Sequence, residues 1–398
     1  MKLLLRTQGD RNNELKYKEN GEKSEVEPQM TDFDYIRYVD MAKKKSDDIT
    51  KRLYPDGVAQ VLSETQGNPY KEVINPIIRK SIVTNKQLLK PYMREFKTEH
   101  VNNNIVKNIK ICKRDILAYR PDVLVLVDYP GFNMRIAEWA KQQGIKTAYY
   151  ISPQVWAWKE NRVKKLKRDV DKMLVILPFE VDFYKKWNFE VTYVGHPLVE
   201  VVSKDQQEVP VTKLSDKPII ALLPGSRAQE IKVKLPIMLQ MVQHFPGYCF
   251  VVAQAAAQPA SLYQEIIGDM KVLVVKDQTY NLLKQARAGL ITSGTATLET
   301  ALFGLPQVVC YKGNPVSFWL ATKLVDVKYI SLVNLIMDKE VVKELIQNDL
   351  NEQNLKAALT RILSDTAYQQ ELKNDYAALW HKLGDKKASE LAAAEIMS

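Results

Sequence analysis

The sequence is poor in the residues that build metal centres and disulfides. Its three cysteines, Cys112, Cys249 and Cys310, are scattered through 398 residues without CxxC spacing. Each sits in an apolar stretch, so they read as reduced core residues of a cytosolic protein. The four histidines, His100, His196, His244 and His381, have no ligand spacing to a second His or Cys, which speaks against a metal mechanism. No GxSxG elbow occurs, which speaks against a serine hydrolase. No apolar run approaches the roughly 20 residues that span a bilayer, and the start "MKLLLRTQGDRNNE" is too short in its apolar part for a signal peptide. Membrane contact is therefore expected to be peripheral. Neither a nucleic-acid recognition module nor an aromatic–glycine signature is found. The net charge of +10 then points to nucleotides or an anionic lipid surface as the acidic partner.

What is present is a long alternation of strand and helix patterns from about Ile105 onward, the mark of parallel sheets built from βα units. "DVLVLVD" and "KTAYYIS" read as strands around the helix "NMRIAEWAKQQG", followed by "KMLVIL", the helix "PFEVDFYKKW" and "VTYVG". A second series runs "IIALLP", "YCFVVAQA", "KVLVVK", "AGLIT", "QVVCYK" and "YISLVN", with helices between, among them "PVSFWLATKLV". The expected fold is α/β with two doubly wound Rossmann-like domains. Residues 101–200 make the rest of the first domain, 201–218 a polar linker, 219–350 the second domain and 351–398 three carboxy-terminal helices. One of those helices is available to exchange with a partner chain, which would give a homodimer. Residues 1–100 break the rhythm. The first 60 hold 12 Lys+Arg and 12 Asp+Glu, so 24 of 60 are charged, as in a solvated arm. Residues 70–98 suit amphipathic helices broken by Pro76 and Pro91.

Polar residues at the carboxyl ends of parallel strands carry the candidate chemistry. "LLPGSRAQEI" (222–231) is a strand-to-helix turn in which Gly225, Ser226 and Arg227 could meet an anion with backbone N–H groups and the helix dipole. It lacks the P-loop lysine and the full GxGxxG spacing, so a plain tight turn is an equal alternative. "ITSGTATLETALFG" (291–304) repeats the arrangement. There Ser293, Gly294 and Thr295 supply donors for a diphosphate, and Glu299 is placed for ribose hydroxyls. The alternative is an ordinary Ser/Thr cap with an exposed first-turn Glu. Asp128 ends "DVLVLVD" and could take a proton from an incoming hydroxyl, or simply cap the next turn. In "ISPQVWAWKENRVKKLKRDVDK" (151–172), Trp156 and Trp158 lie beside a helix whose outer face presents Lys164, Lys165, Lys167 and Arg168. That combination suits an anionic membrane surface, with a merely solvated face as its rival.

Taken together, "VDYPGFN" (127–133), "YYISPQVWAWKENRVKKLKRDVDKMLVILPFE" (149–180), "YVGHP" (193–197), "LLPGSRAQEI", "SGTATLETALFGLPQVVCYK" (293–312), "SFWLATKLV" (317–325), "YISLVNLI" (329–336) and "KELIQ" (343–347) resemble the lipid-A-disaccharide synthase family, in family order over about residues 102–398. The resemblance implies a GT-B glycosyltransferase at the cytoplasmic face of the inner membrane in lipid A biosynthesis. It would join UDP-2,3-diacylglucosamine to 2,3-diacylglucosamine 1-phosphate with inversion, without a metal or other cofactor. It further implies Asp128 as base, Arg227 on the diphosphate, Glu299 at the ribose and Asn334 lining the donor site. The amino terminus departs from the pattern. "MKLLLRTQGD" has Gly9 and Asp10 but not the family's Gly-Glu-Ala-Ser-Gly-Asp loop, and residues 11–100 match no family segment. The competing expectation is a catalytically impaired UDP-binding protein with a replaced amino-terminal half-domain. A third is a related enzyme acting on a soluble UDP-sugar.

Overall fold

The structure, a computed structural model, describes residues 3–6, 98–157, 160–313, 318, 328–384 and 387–398. The chain divides into two compact units, Met1–Pro197 with Lys386–Ser398, and Leu198–Asp385. The expected charged arm and the helices of residues 70–98 lie outside the described residues, apart from Leu3–Arg6 and Thr98 onward. Trp158 and most of the helix expected at 315–325 also lie outside them.

The first unit runs β1 (Leu3–Arg6), α1 (Thr98–Tyr119), β2 (Val123–Val127), α2 (Pro130–Gln142), β3 (Lys146–Tyr150), α3 (Val163–Asp169), β4 (Lys172–Val175), α4 (Phe179–Lys185) and β5 (Thr192–Tyr193). Its strands form one parallel sheet in the order β1-β2-β3-β4-β5. β2 is apolar on both faces, as a central parallel strand must be; Leu124 and Leu126 join Ile116 of α1 and Ile136 of α2 in one core. β1 pairs with it, Leu3 opposite Val123 through Arg6 opposite Leu126. The amino terminus thus supplies a strand beside "DVLVLVD".

The second unit begins with α5 (Pro197–Glu208), then β6 (Ile219–Leu223), α6 (Ala228–Leu239), α7 (Met241–His244), β7 (Cys249–Gln254), α8 (Ala260–Ile267), β8 (Leu273–Lys276), α9 (Thr279–Gln285), β9 (Ala286–Thr292), α10 (Thr295–Leu302), β10 (Gln307–Tyr311), α11 (Leu332–Met337), β11 (Lys343–Ile346), α12 (Glu352–Ser364) and α13 (Thr366–Leu383). The six strands, again all parallel, lie in the order β11-β10-β9-β6-β7-β8. Every residue of β6 is buried; burying one Val, Leu or Ile side chain stabilises by roughly 1.5–3 kcal/mol. The last helix, α14 (Ala388–Met397), belongs to the first unit. There Lys172 Nζ donates to Glu395 O and Ser398 Oγ, both at 2.6 Å.

Two elements differ from expectation. The supposed linker starts as helix α5, because Val199 and Val202 stand three residues apart and both are buried; only 209–218 lacks regular structure. "YISLVN" is not a strand but the start of α11, since Ser331 Oγ accepts the N–H of Asn334 at 3.3 Å and caps a helix. A short apolar run is ambiguous between strand and helix, and here a side-chain cap decides it. The edge strand comes instead from "KELI".

Candidate functional site

In the second unit the chain builds β6, β7 and β8 toward one side and then returns to lay β9, β10 and β11 on the other. The strand order reverses between β6 and β9, which are direct neighbours with Leu223 opposite Ile291. Open parallel sheets bind ligands at the carboxyl ends of the strands at such a point. Both loops singled out in the sequence sit there: Gly225–Arg227 leads from β6 into α6, and Ser293–Gly294 leads from β9 into α10.

Neither helix has a side-chain cap. The N-cap residues are Arg227 for α6 and Gly294 for α10. The ordinary Ser/Thr cap therefore does not describe "ITSGTAT": Ser293 Oγ donates to Ile330 O at 2.9 Å instead, and Thr295 opens the helix. First-turn N–H groups of two helices, each at a positive dipole end, are thus presented by adjacent strands. Gly225 and Gly294 hold φ of +121° and +131°, which side chains rarely adopt. Ser226 and Arg227 are exposed. The Ser226 carbonyl accepts from the buried Gln258 amide at 2.9 Å, so the loop after β7 braces the turn.

The arginine is engaged. Its Nη1 lies 3.3 Å from Glu230 Oε1, and Glu230 Oε2 lies 3.9 Å from Lys234 Nζ. Lys234 is only 3% exposed and donates to Thr292 Oγ1 at the end of β9. Burial lowers its pKa, opposed first by Glu230. Sequence reasoning passed over Lys234, although a signal existed. Ile231, Leu235 and Met238 form the buried face of α6, and a lysine three residues after Ile231 falls on that face.

Glu299 projects from α10, half-buried rather than exposed, and accepts the Tyr280 hydroxyl at 2.9 Å. Asn334 is fully buried, and its amide is saturated. Nδ2 donates to Val342 O and Glu344 Oε1, both at 2.9 Å, while Oδ1 accepts the N–H groups of Val341 at 2.9 Å and Val342 at 3.0 Å. With no bond left to offer a ligand, Asn334 pins α11 to the entry of β11. Glu344 also accepts from the N–H groups of Ile330 and Ser331, fixing the carbonyl to which Ser293 donates.

In the first unit, Asp128 follows the buried end of β2 and is half-buried. It and Tyr129 are consecutive left-handed residues, φ +47° and +44°. Such backbone persists only when its surroundings over-determine it. Here they do: Asn133 Nδ2 donates to Val127 O at 3.0 Å and to Asp128 O at 2.7 Å, and Tyr149 donates its hydroxyl to Asp128 O at 2.6 Å. Helix α2 takes Tyr129 as N-cap, without a side-chain cap. Burial, then the nearby Asp128 charge, push the Tyr149 hydroxyl well above the ordinary tyrosine range, so it stays a donor.

Lys164, Lys165, Lys167 and Arg168 are exposed on α3, above buried Val163 and Leu166. They are not equivalent. Arg168 is tied to Asp169 at 2.6 Å and to Glu138 at 2.7 Å. Lys164 lies over the Trp187 ring, 5.9 Å from its centroid, and Lys167 reaches Trp187 O at 3.3 Å. Trp156 packs edge-on against Phe179 at 4.9 Å. Part of its ring is therefore committed to the fold.

Comparison with known proteins places this chain in a family. The lipid-A-disaccharide synthetase family model matches residues 99–396. The chain is 38% identical to the lipid-A-disaccharide synthase of Trichlorobacter lovleyi over 296 residues, covering 72% of this chain and 77% of that relative. It is 40% identical to that of Nitrosococcus oceani over 274 residues, covering 66% and 71%. Among solved structures it resembles a putative UDP-N-acetylglucosamine 2-epimerase from Listeria monocytogenes, with TM-score 0.54 and 13% identity over 79% of this chain and 86% of that one. A UDP-GlcNAc 2-epimerase from Neisseria meningitidis, bound to UDP-GlcNAc, gives TM-score 0.54 and 13% identity over 78% and 88%. At that identity the likeness shows the two-sheet α/β fold alone. The match over three quarters of its length shows that this chain belongs to the lipid-A-disaccharide synthase family, glycosyltransferases of lipid A biosynthesis.

Proposed function

We propose that the chain condenses UDP-2,3-diacylglucosamine with 2,3-diacylglucosamine 1-phosphate by a single inverting displacement. The acceptor 6-hydroxyl oxygen attacks the anomeric carbon of the donor. Its proton passes to the Asp128 carboxylate, while the anomeric C–O bond breaks and its electron pair leaves on the β-phosphate of UDP. The observation that carries the reading is the pair of uncapped helix N-termini on the adjacent strands β6 and β9. Two dipole ends with Gly225 and Gly294 at their approaches suit a diphosphate, and the exposed Arg227 guanidinium can take two phosphate oxygens as charge builds on the leaving group. Glu299 is the ribose acceptor. Asn334 serves by fixing the segment beside Ser293, not by touching the donor. The lysines of α3 with Trp156 and Trp158 would rest the protein on an anionic inner-membrane surface.

The strand β1 beside β2 favours this over a UDP-binding protein lacking a working first domain. The test is turnover by purified protein of both lipid substrates in detergent. Product from the wild type, with a loss of about 10²–10⁴-fold in Asp128→Ala as expected for a general base, supports the proposal. UDP binding without product would overturn it in favour of the impaired protein.

A further inference from the structure

A carboxylate at the diphosphate loop is a problem the fold has to solve. Glu230 Oε2 stands 2.5 Å from where a Cβ on Gly225 would lie, so it fills the space beneath the loop that should attract anions. Left alone, its charge would oppose a diphosphate bound at the same place. Two cations flank it: Arg227 at 3.3 Å from one oxygen and Lys234 at 3.9 Å from the other. They differ in freedom. Arg227 is exposed and can turn to a ligand, whereas Lys234 is buried and anchored across the sheet edge on Thr292.

Resting on the diphosphate reading above, we infer that Lys234 is a positioning residue that neutralises Glu230, so that Arg227 can leave Glu230 for the diphosphate without exposing it to an uncompensated carboxylate. Without ligand, Glu230 holds Arg227 over the loop, ordered but uncommitted. When the diphosphate arrives, Arg227 exchanges one anion for another, and Glu230 keeps a cationic neighbour through Lys234. The anchor on Thr292 also ties α6 to the end of β9, which keeps the Lys234 charge at the carboxyl ends of the two adjacent strands. A purely structural lysine would need neither Glu230 nor the loop beside Gly225.

The test is UDP binding by calorimetry on the full chain in four forms: wild type, Lys234→Met, Glu230→Gln and the double variant, with thermal melting of each. Lys234→Met, with its carboxylate unneutralised, is expected to weaken UDP about tenfold, as one added charge near a partly exposed site would. The double variant is expected to regain wild-type affinity within about twofold, because the carboxylate is gone as well. Glu230→Gln alone should bind UDP at least as tightly as the wild type. A double variant as weak as Lys234→Met, or a Glu230→Gln that binds tenfold more weakly, overturns the inference. Should Lys234→Met fail to fold, the Glu230→Gln result decides. Absence of UDP binding in a folded wild type would instead overturn the diphosphate reading itself.

Discussion

Tyr280 donates its hydroxyl to Glu299 Oε1 at 2.9 Å, so the carboxylate proposed for the donor ribose is aimed by a residue on a different helix. The Tyr280 ring packs against Phe303 at 4.9 Å, and that contact survives loss of the hydroxyl. Tyr280→Phe should therefore leave the melting temperature nearly unchanged while freeing Glu299 to rotate. One neutral-to-charged hydrogen bond is worth about 1.5–3 kcal/mol, so the expected effect is a rise in donor KM of about tenfold or more with little change in acceptor KM. Glu299→Ala should raise donor KM at least as far. A Tyr280→Phe enzyme with wild-type KM would show that Glu299 needs no aiming, or does not meet the donor.

Asn133 does for Asp128 what Tyr280 does for Glu299, through the backbone. Its amide closes on Val127 O and Asp128 O and so holds two successive left-handed residues. Asn133→Ala removes both bonds and leaves buried carbonyls underused, at about 1–3 kcal/mol. The expected result is a lower melting temperature and a kcat reduced more than either KM, because the base is displaced while binding surfaces remain. Equal losses in kcat and KM, or no loss of rate, would separate Asn133 from the chemistry.

These dependencies explain how much could be read from the chain. β2, β6 and β9 were legible because buried parallel strands are continuous apolar runs bounded by turn residues, and the Gly225 and Gly294 loops followed from the strand-to-helix switch. For Asn334 the sequence shows only a position in a motif. Its saturation by Val341, Val342 and Glu344 depends on partners 7 to 10 residues away, which no local pattern reports. The α5 helix was hidden by its polar second half, since its buried valines, Val199, Val201 and Val202, all fall in the first six residues and no apolar residue follows them to repeat the stripe. Lys234 was hidden in the opposite sense: its face was apolar, and a periodicity argument discards the exception that matters.

The basic face of α3 divides into three lysines and an arginine that already has two carboxylates. Lys164, Lys165 and Lys167 are the residues expected to meet lipid, at about 1 kcal/mol each near an anionic surface. Co-sedimentation with vesicles containing phosphatidylglycerol should show binding that falls by about two orders of magnitude in the triple Lys→Glu variant, and that is absent on pure phosphatidylcholine. Arg168→Glu should cost stability as well, since it places a negative charge among Asp169 and Glu138. Triple-variant binding equal to wild type would leave α3 as a solvated face.

The first unit also buries two titratable groups whose effects oppose each other. Glu180 is 1% exposed and accepts the N–H groups of Leu177 at 2.9 Å and Ile176 at 3.2 Å, and burial raises its pKa to about 7. His196 is 3% exposed, and burial lowers its pKa to about 4. A carboxyl raised in the folded state contributes stability that is full below its unfolded value of 4.5 and lost as pH rises to about 7. An imidazole lowered in the folded state contributes stability that is present above its unfolded value of 6.5 and lost as pH falls to about 4. At about 1.4 kcal/mol per pH unit of displacement, each effect amounts to about 3 kcal/mol, with opposite slopes over most of the same range. In the wild type they nearly cancel. Glu180→Gln, which can still accept both N–H groups, leaves the histidine effect alone, so its stability relative to wild type should climb by about 3 kcal/mol between pH 4.5 and 7. His196→Gln should fall relative to wild type by a similar amount between pH 4 and 6.5. Urea midpoints across that range at constant ionic strength read both slopes, and a level difference between Glu180→Gln and wild type would mean that Glu180 ionises in the folded protein as it does in the unfolded chain.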